Sequence, residues 1–170
     1  MELKGNAFIL RQWQAGDEIS LQQQANNSNI SRYLFDRFPY PYTLADAENW
    51  IAMLHDQNPV TNFAIVINEQ VAGAIELKPE QDIHHKTFTL GYWLGQDHWG
   101  KGIMTEAVNL ITGYAFNNFD IIRIQAIVND NNPASMRVLE KAGFKKEGIL
   151  KNAIVKNGEV MDEHLYALLK

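Results

Sequence analysis

Apolar positions along the chain follow two periods, and the alternation between them sets out the elements. Leu44, Ala47, Trp50, Ile51 and Leu54 recur at three- and four-residue intervals, which predicts a helix with one apolar face. Thr43 opens that helix and Asp46 stands three residues on, as in a capping box, while Asn58-Pro59 closes it. A longer helix is predicted over 102–119, with Ile103, Ala107, Leu110, Ile111, Tyr114 and Ala115 on its buried stripe. Strands are predicted at 8–13, 62–67, 71–77, 86–94, 122–128, 146–155 and 160–169. Asn68-Glu69-Gln70 and Asn157-Gly158 read as hairpin turns. Shorter helices with polar faces are expected over 15–26 and 28–35, and an extended loop over 37–42, where Pro39 and Pro41 block a helix. Pro133 suits the first turn of a further helix capped by Asn131 or Asn132, which Gly143 ends. The passage 86–128 reads strand, helix, strand, so those two strands should lie parallel. The expectation is a mixed α/β sheet.

Composition narrows the class. The chain has 170 residues, enough for one domain with its own core, and it is 46% hydrophobic, which excludes a disordered chain. It has no cysteine, which removes disulfides, thiolate metal sites and a cysteine nucleophile. The net charge of −5, with no dense Lys/Arg cluster, argues against nucleic acid as a partner; it would attract a cationic amine modestly, although such a charge is ordinary for a small domain and serves solubility. The opening MELKGNAFILRQWQ has too short an apolar run for a leader, and no run reaches the length of a membrane span. A cytoplasmic protein with no membrane partner is therefore expected.

Chemistry concentrates in LGYWLGQDHWGKGIMTEA, residues 90–107. A strand runs into a loop with glycines, and the loop opens the long helix. Backbone N–H groups are exposed at such a helix start, and the helix dipole adds partial positive charge. Gly100 and Gly102 carry no Cβ, so a phosphate or pyrophosphate can approach the backbone closely. A simple tight turn is the alternative reading of the same glycines. The chain contains no GxxxxGK[ST] and no full GxGxxG, so Lys101 is not a P-loop lysine, and a dinucleotide enzyme is disfavoured.

This segment resembles the acetyl-CoA-binding signature of the GCN5-related N-acetyltransferases, and more narrowly the branch containing the Rim enzymes, which acetylate ribosomal-protein N-termini. VNDNNPASMRVLEKAGF, residues 128–144, is similar to the family's second motif, an Asn-x-x-Ser before a helix that ends in Leu-Glu-Lys-x-Gly-Phe. The start, Ile9-Leu10-Arg11, and the close, Leu165-Tyr166-Ala167-Leu168, agree as well, so the resemblance spans nearly the whole chain. One departure is that the family's first Gln/Arg falls on Asp97, with Gln96 one residue early.

The resemblance implies one domain over 1–170, with a mostly antiparallel sheet of six to seven strands, a central parallel pair and helices on both faces. It implies acetyl-CoA as cosubstrate, no metal, and direct acetyl transfer to an amine. The two parallel strands should splay to admit the pantetheine arm. The diphosphate would rest on N–H groups of His98, Trp99, Gly100, Lys101, Gly102 and Ile103, and a backbone N–H at Trp93 or Leu94 would polarise the thioester. Asn132 would bond the pantetheine, and Ser135 would serve the leaving thiolate.

A proton must leave the ammonium before it can attack. Glu76, on the strand 71–77, and His84, next to His85 before the strand 86–94, are the candidate bases; for each, a plain surface position is the alternative. Glu106 reads as structural, and Asp162, Glu163 and His164 are further acceptor-side candidates. Trp13, Tyr33, Phe35, Phe38, Tyr40 and Tyr42 suit either an acceptor wall or the core and its loops. The acceptor suggested by the Rim-like resemblance is a protein N-terminus. Asp36, Glu76 and the acidic balance resemble polyamine acetyltransferases, and an aminoglycoside or other small amine stays open. A non-catalytic acyl-CoA-binding module is the rival class. Either a monomer or a homodimer is compatible with the sequence.

Overall fold

Two-residue turns with left-handed backbone shape two hairpins of this protein. A computed structural model describes residues 1–170. In it, Asn68 (φ 49°) and Glu69 (φ 66°) join β3 (Asn62–Ile67) to β4 (Gln70–Pro79). Asn157 (φ 53°) and Gly158 (φ 82°) join β7 (Lys145–Lys156) to β8 (Glu159–Leu169). Positive φ at both central positions matches the right-handed twist of the strands they link. The sheet has eight strands in the order β1-β2-β3-β4-β5-β6-β8-β7. That is one more than the upper count expected from sequence. The addition is β1 (Glu2–Lys4), three residues too short to give a periodic signal, held by antiparallel pairing with β2 (Ile9–Arg11).

The fold divides into two compact units. The first comprises Met1–Glu76 and Tyr92–Ile103. In it, β2, β3 and β4 form an antiparallel ladder, with Asn62 opposite Glu76 and Ala64 opposite Ala74. Three helices belong to this unit: α1 (Glu18–Ala25), the single turn α2 (Ser28–Ser31) and α3 (Leu44–Leu54). Both halves of the α3 capping box form: Thr43 Oγ1 accepts from the Asp46 N–H at 3.2 Å, and Asp46 Oδ2 accepts from the Thr43 N–H at 2.8 Å. Leu21, Ala25, Ala47, Ile51 and Leu54 from the helices pack with Trp13, Ala64, Val66 and Ala74, and Trp93 and Phe38 adjoin this core. The cover fixes which face of the strands is buried, and Trp13 and Trp93 share that face.

The second unit comprises Leu77–Gly91 and Met104–Lys170. Strand β5 (Thr87–Leu94) begins here and pairs in parallel with β6 (Arg123–Asn129), as the crossover through α4 (Ile103–Asn118) requires. The pairing runs from Thr87–Arg123 to Thr89–Gln125, and Leu90 and Gly91 do not extend it, whereas β6 stays paired to β8 as far as Asn129. Met104, Ala107, Val108, Ile111 and Ala115 form the buried stripe of α4. Helix α5 (Pro133–Lys141) is capped by Asn132, and Gly143 (φ 89°) follows it. The Tyr166 hydroxyl donates to Glu140 at 3.0 Å; burial, followed by that carboxylate, pushes the phenol up to about 12.

Candidate functional site

The loop after β5 is tied down at each step, which leaves a defined set of backbone amides. The Gly95 N–H donates to the Ala72 carbonyl at 2.7 Å, holding the end of β5 to β4. A Cβ at Gly73 would collide with the Trp93 carbonyl oxygen, and one at Gly95 with the Gln24 side chain. Glycine at both positions permits this close approach. Residues Gln96–His98 then form one 3₁₀ turn. Within that turn the His98 N–H donates to the Gly95 carbonyl at 3.0 Å, and the Trp99 N–H to the Gln96 carbonyl at 3.1 Å. The Trp99 indole N–H reaches back to the Leu94 carbonyl at 2.7 Å and closes the loop.

Two amides of the expected phosphate set, those of His98 and Trp99, are thus occupied within the loop. Those of Gly100, Lys101 and Gly102 meet no carbonyl of the chain, and Ile103 opens α4. Gly100 (φ 73°) and Gly102 (φ 76°) adopt left-handed backbone, and a Cβ at either would meet nothing within 4 Å. Protein crowding therefore does not explain these glycines. Backbone conformation does, and it leaves an open face beside unpaired donors at a helix start. This arrangement fits a phosphate or diphosphate group. Gln96, one position early for the family pattern, is otherwise engaged: its Oε1 accepts from Asn27 Nδ2 at 2.9 Å and Asn29 Nδ2 at 3.1 Å. Asp97 is exposed.

The second motif lies in the other unit. Asn132 Oδ1 accepts from the Ser135 N–H at 3.2 Å, so Asn132 caps α5 and Ser135 sits half-buried in its first turn. The cap leaves the Asn132 amide nitrogen unused by this bond.

The candidate bases differ sharply in setting. Glu76 is half-buried on β4 between the fully buried Ile75 and Leu77. Its Oε2 accepts from Asn62 Nδ2 at 2.9 Å, and Asn62 Oδ1 accepts from the Trp13 indole at 2.8 Å. His84 ends an exposed 3₁₀ turn, Asp82–His84, in the second unit. Asp162 is bound by Lys151 Nζ at 2.7 Å and the Asn152 N–H at 2.9 Å, contacts that hold its carboxyl below the ordinary range. Burial pushes the Glu163 carboxyl up, and the neighbouring His164 has its Nδ1 buried without a partner. Among the aromatics, Trp13 and Tyr42 are core; Phe38 packs on Tyr42 at 5.0 Å and on Trp93 at 5.7 Å; Phe35 and Tyr40 are exposed.

Sequence reading missed Asn62 and the Gln96 clamp. A lone asparagine at a strand start has no periodic signature, and its two partners lie 49 and 14 residues away. No helix is long and apolar enough to cross a membrane.

Comparison with known proteins bears on this arrangement. Residues 7–145 match the family model described as an acetyltransferase (GNAT) domain. The probable N-acetyltransferase YjcK of Bacillus subtilis (strain 168) is 50% identical over 84 residues, a match covering 49% of this chain and 46% of that protein. The chain thus spans about half the length of that relative. A solved RimL, a ribosomal L7/L12 alpha-N-protein acetyltransferase in complex with coenzyme A, superimposes with a TM-score of 0.87 at 22% identity, covering 99% of this chain and 98% of that one. A spermidine N-acetyltransferase from Vibrio cholerae, in complex with coenzyme A and spermine, does so with a TM-score of 0.79 at 24% identity, covering 97% and 96%.

Proposed function

Since this chain belongs to the GNAT acetyltransferase family, we propose that it carries acetyl from acetyl-CoA to a primary amine, with a protein N-terminus as the acceptor. The observation that carries the cofactor half is the run of unpaired amides at Gly100, Lys101 and Gly102 leading into Ile103, beside two glycines whose open faces admit a diphosphate. Acetyl-CoA enters as the cosubstrate. The end of the β5–β6 pairing at Thr89–Gln125 supports a pantetheine arm that pairs with the β6 backbone beyond Gln125. The N–H of Trp93 or Leu94 would hydrogen-bond the thioester oxygen and stabilise negative charge developing there.

The reaction needs a neutral amine. Glu76 takes the proton of the bound ammonium, directly or through a water, and the freed lone pair attacks the thioester carbon. A C–N bond forms and the C–S bond breaks. The attacking nitrogen gives up its second proton as the intermediate collapses, and that proton reaches the departing sulfur through the Ser135 hydroxyl, which is left unchanged, while Asn132 contacts the pantetheine amide. Glu76 is preferred to His84 because it is half-buried and fixed by a hydrogen bond, whereas His84 is exposed. A cytoplasmic site of action goes with this reading.

A polyamine is the second acceptor reading. It is supported by the carboxylate on the acceptor side and the net charge of −5, and by the spermine held by the Vibrio cholerae neighbour. The test is a screen that detects free coenzyme A thiol with N-terminal peptides, spermidine and aminoglycosides. Thiol release with peptides above the amine-free rate supports the first reading, and release with spermidine alone supports the second. Coenzyme binding without thiol release under any amine would replace both with a non-catalytic binding module.

A further inference from the structure

We infer that Trp13 and Asn62 are positioning residues, a buried relay that holds the Glu76 carboxylate in one orientation for a cationic acceptor amine. This rests on the reading of Glu76 as the group that meets the amine. The relay has a fixed polarity. An indole N–H can only donate, so the Asn62 atom it meets at 2.8 Å is the carbonyl oxygen. A carboxylate can only accept, so the Asn62 atom facing Glu76 at 2.9 Å is the amide nitrogen. Both ends demand the same orientation of the amide.

The relay is also anchored. Trp13 is 2% exposed and Asn62 4% exposed. The Asn62 N–H and the Thr61 N–H both donate to Gln57 Oε1 at 3.0 Å, which pins the strand start from which the side chain projects. Asn62 and Glu76 are direct cross-strand partners, and the pair two positions along the same strands, Ala64 and Ala74, belongs to the same buried cluster as Trp13.

A purely structural role explains this poorly. An apolar pair in place of Trp13 and Asn62 would fill the same space without burying polar atoms. The relay ends instead on a carboxylate flanked by fully buried neighbours, Ile75 and Leu77. Only Oε2 of Glu76 is taken; Oε1 receives no hydrogen bond from the chain. One oxygen is tethered and the other is left for an ammonium. Holding the acceptor's partner in place lowers the ordering cost of reaching the reactive geometry.

The experiment uses the full chain with acetyl-CoA and, as acceptor probe, a short peptide with a free N-terminal amine and spermidine in parallel. Asn62→Asp keeps the bond from Trp13 but turns an oxygen towards Glu76. Trp13→Phe removes the indole N–H and keeps an aromatic ring. Both should lower kcat/KM for the amine, by about tenfold or more for Asn62→Asp, while KM for acetyl-CoA stays within about twofold. In a Glu76→Gln background, Asn62→Asp should cost less than about twofold more, because the residue it positions is already gone. The same loss in both backgrounds, or a parallel loss in the acetyl-CoA and amine parameters, would overturn the relay. A parent-like Asn62→Asp together with an impaired Glu76→Gln would reject the relay and leave Glu76 in place. A parent-like Glu76→Gln, or no thiol release from the parent, would reject the reading beneath it. Should Asn62→Asp not fold, the same comparison is read from Trp13→Phe.

Discussion

Individual side chains here are settled by specific partners, some near in sequence and some far, and that governs what each substitution does. Arg11 donates to both oxygens of Asp17 at 2.8 Å, with the two side chains only 11% and 7% exposed. The hydrogen bond to Asp17 holds the guanidinium above its ordinary range, against the opposing effect of burial. Asp17→Ala strands a buried cation, and urea unfolding should show a loss of about 3–5 kcal/mol; a loss below about 1 kcal/mol would mean the pair is more solvated than its exposure indicates. Ser135→Ala tests a different kind of residue. If the hydroxyl serves the leaving thiolate, kcat falls with little change in either KM; a change confined to KM would make it a binding residue. The Asn132 cap on the Ser135 N–H was legible beforehand because the two residues belong to a spaced motif. Asn62 was not, since nothing local distinguishes it from a surface asparagine, and its meaning comes only from Trp13 and Glu76.

At the scale of elements, periodicity and turn chemistry carried most of the reading. The capping box at Thr43, the Asn157-Gly158 turn and the parallel β5–β6 pair stand where the pattern put them; of the turn expected at Asn68-Glu69-Gln70, Gln70 already belongs to β4, and of the two expected caps Asn132 is the one used. The misses have physical causes. The helix expected over 15–26 starts only at Glu18, because Gly16 (φ 102°) is still in a turn. The helix expected over 28–35 lasts one turn, and then the Tyr33 and Leu34 N–H groups bond three residues back, to Ile30 and Ser31, so the chain tightens. The glycine loop is the element whose shape makes the strongest prediction. Gly102 (φ 76°) needs left-handed backbone, so even Gly102→Ala costs about 1–2 kcal/mol in conformation. Gly102→Glu adds a charge at the open face, and KM for acetyl-CoA should rise by about tenfold or more with the fold intact by circular dichroism. Unchanged steady-state kinetics in that variant would detach the loop from the cosubstrate.

For the molecule as a whole, family membership points to acetyl transfer and leaves the acceptor open. Charge supplies a discriminating readout. A polyamine drawn by the acidic balance should show an amine KM that climbs with ionic strength, whereas a peptide N-terminus carrying one charge should respond weakly. Under the proposed reading both acceptors depend on the same event, capture of the coenzyme's diphosphate by the amides before α4. The most direct measurement is a titration of the ¹⁵N-labelled chain with coenzyme A, followed amide by amide, and repeated with pantetheine, which lacks the diphosphate. The Gly100, Lys101, Gly102 and Ile103 signals should move most with the coenzyme and stay still with pantetheine. Coenzyme binding that leaves those four signals unmoved would contradict the account.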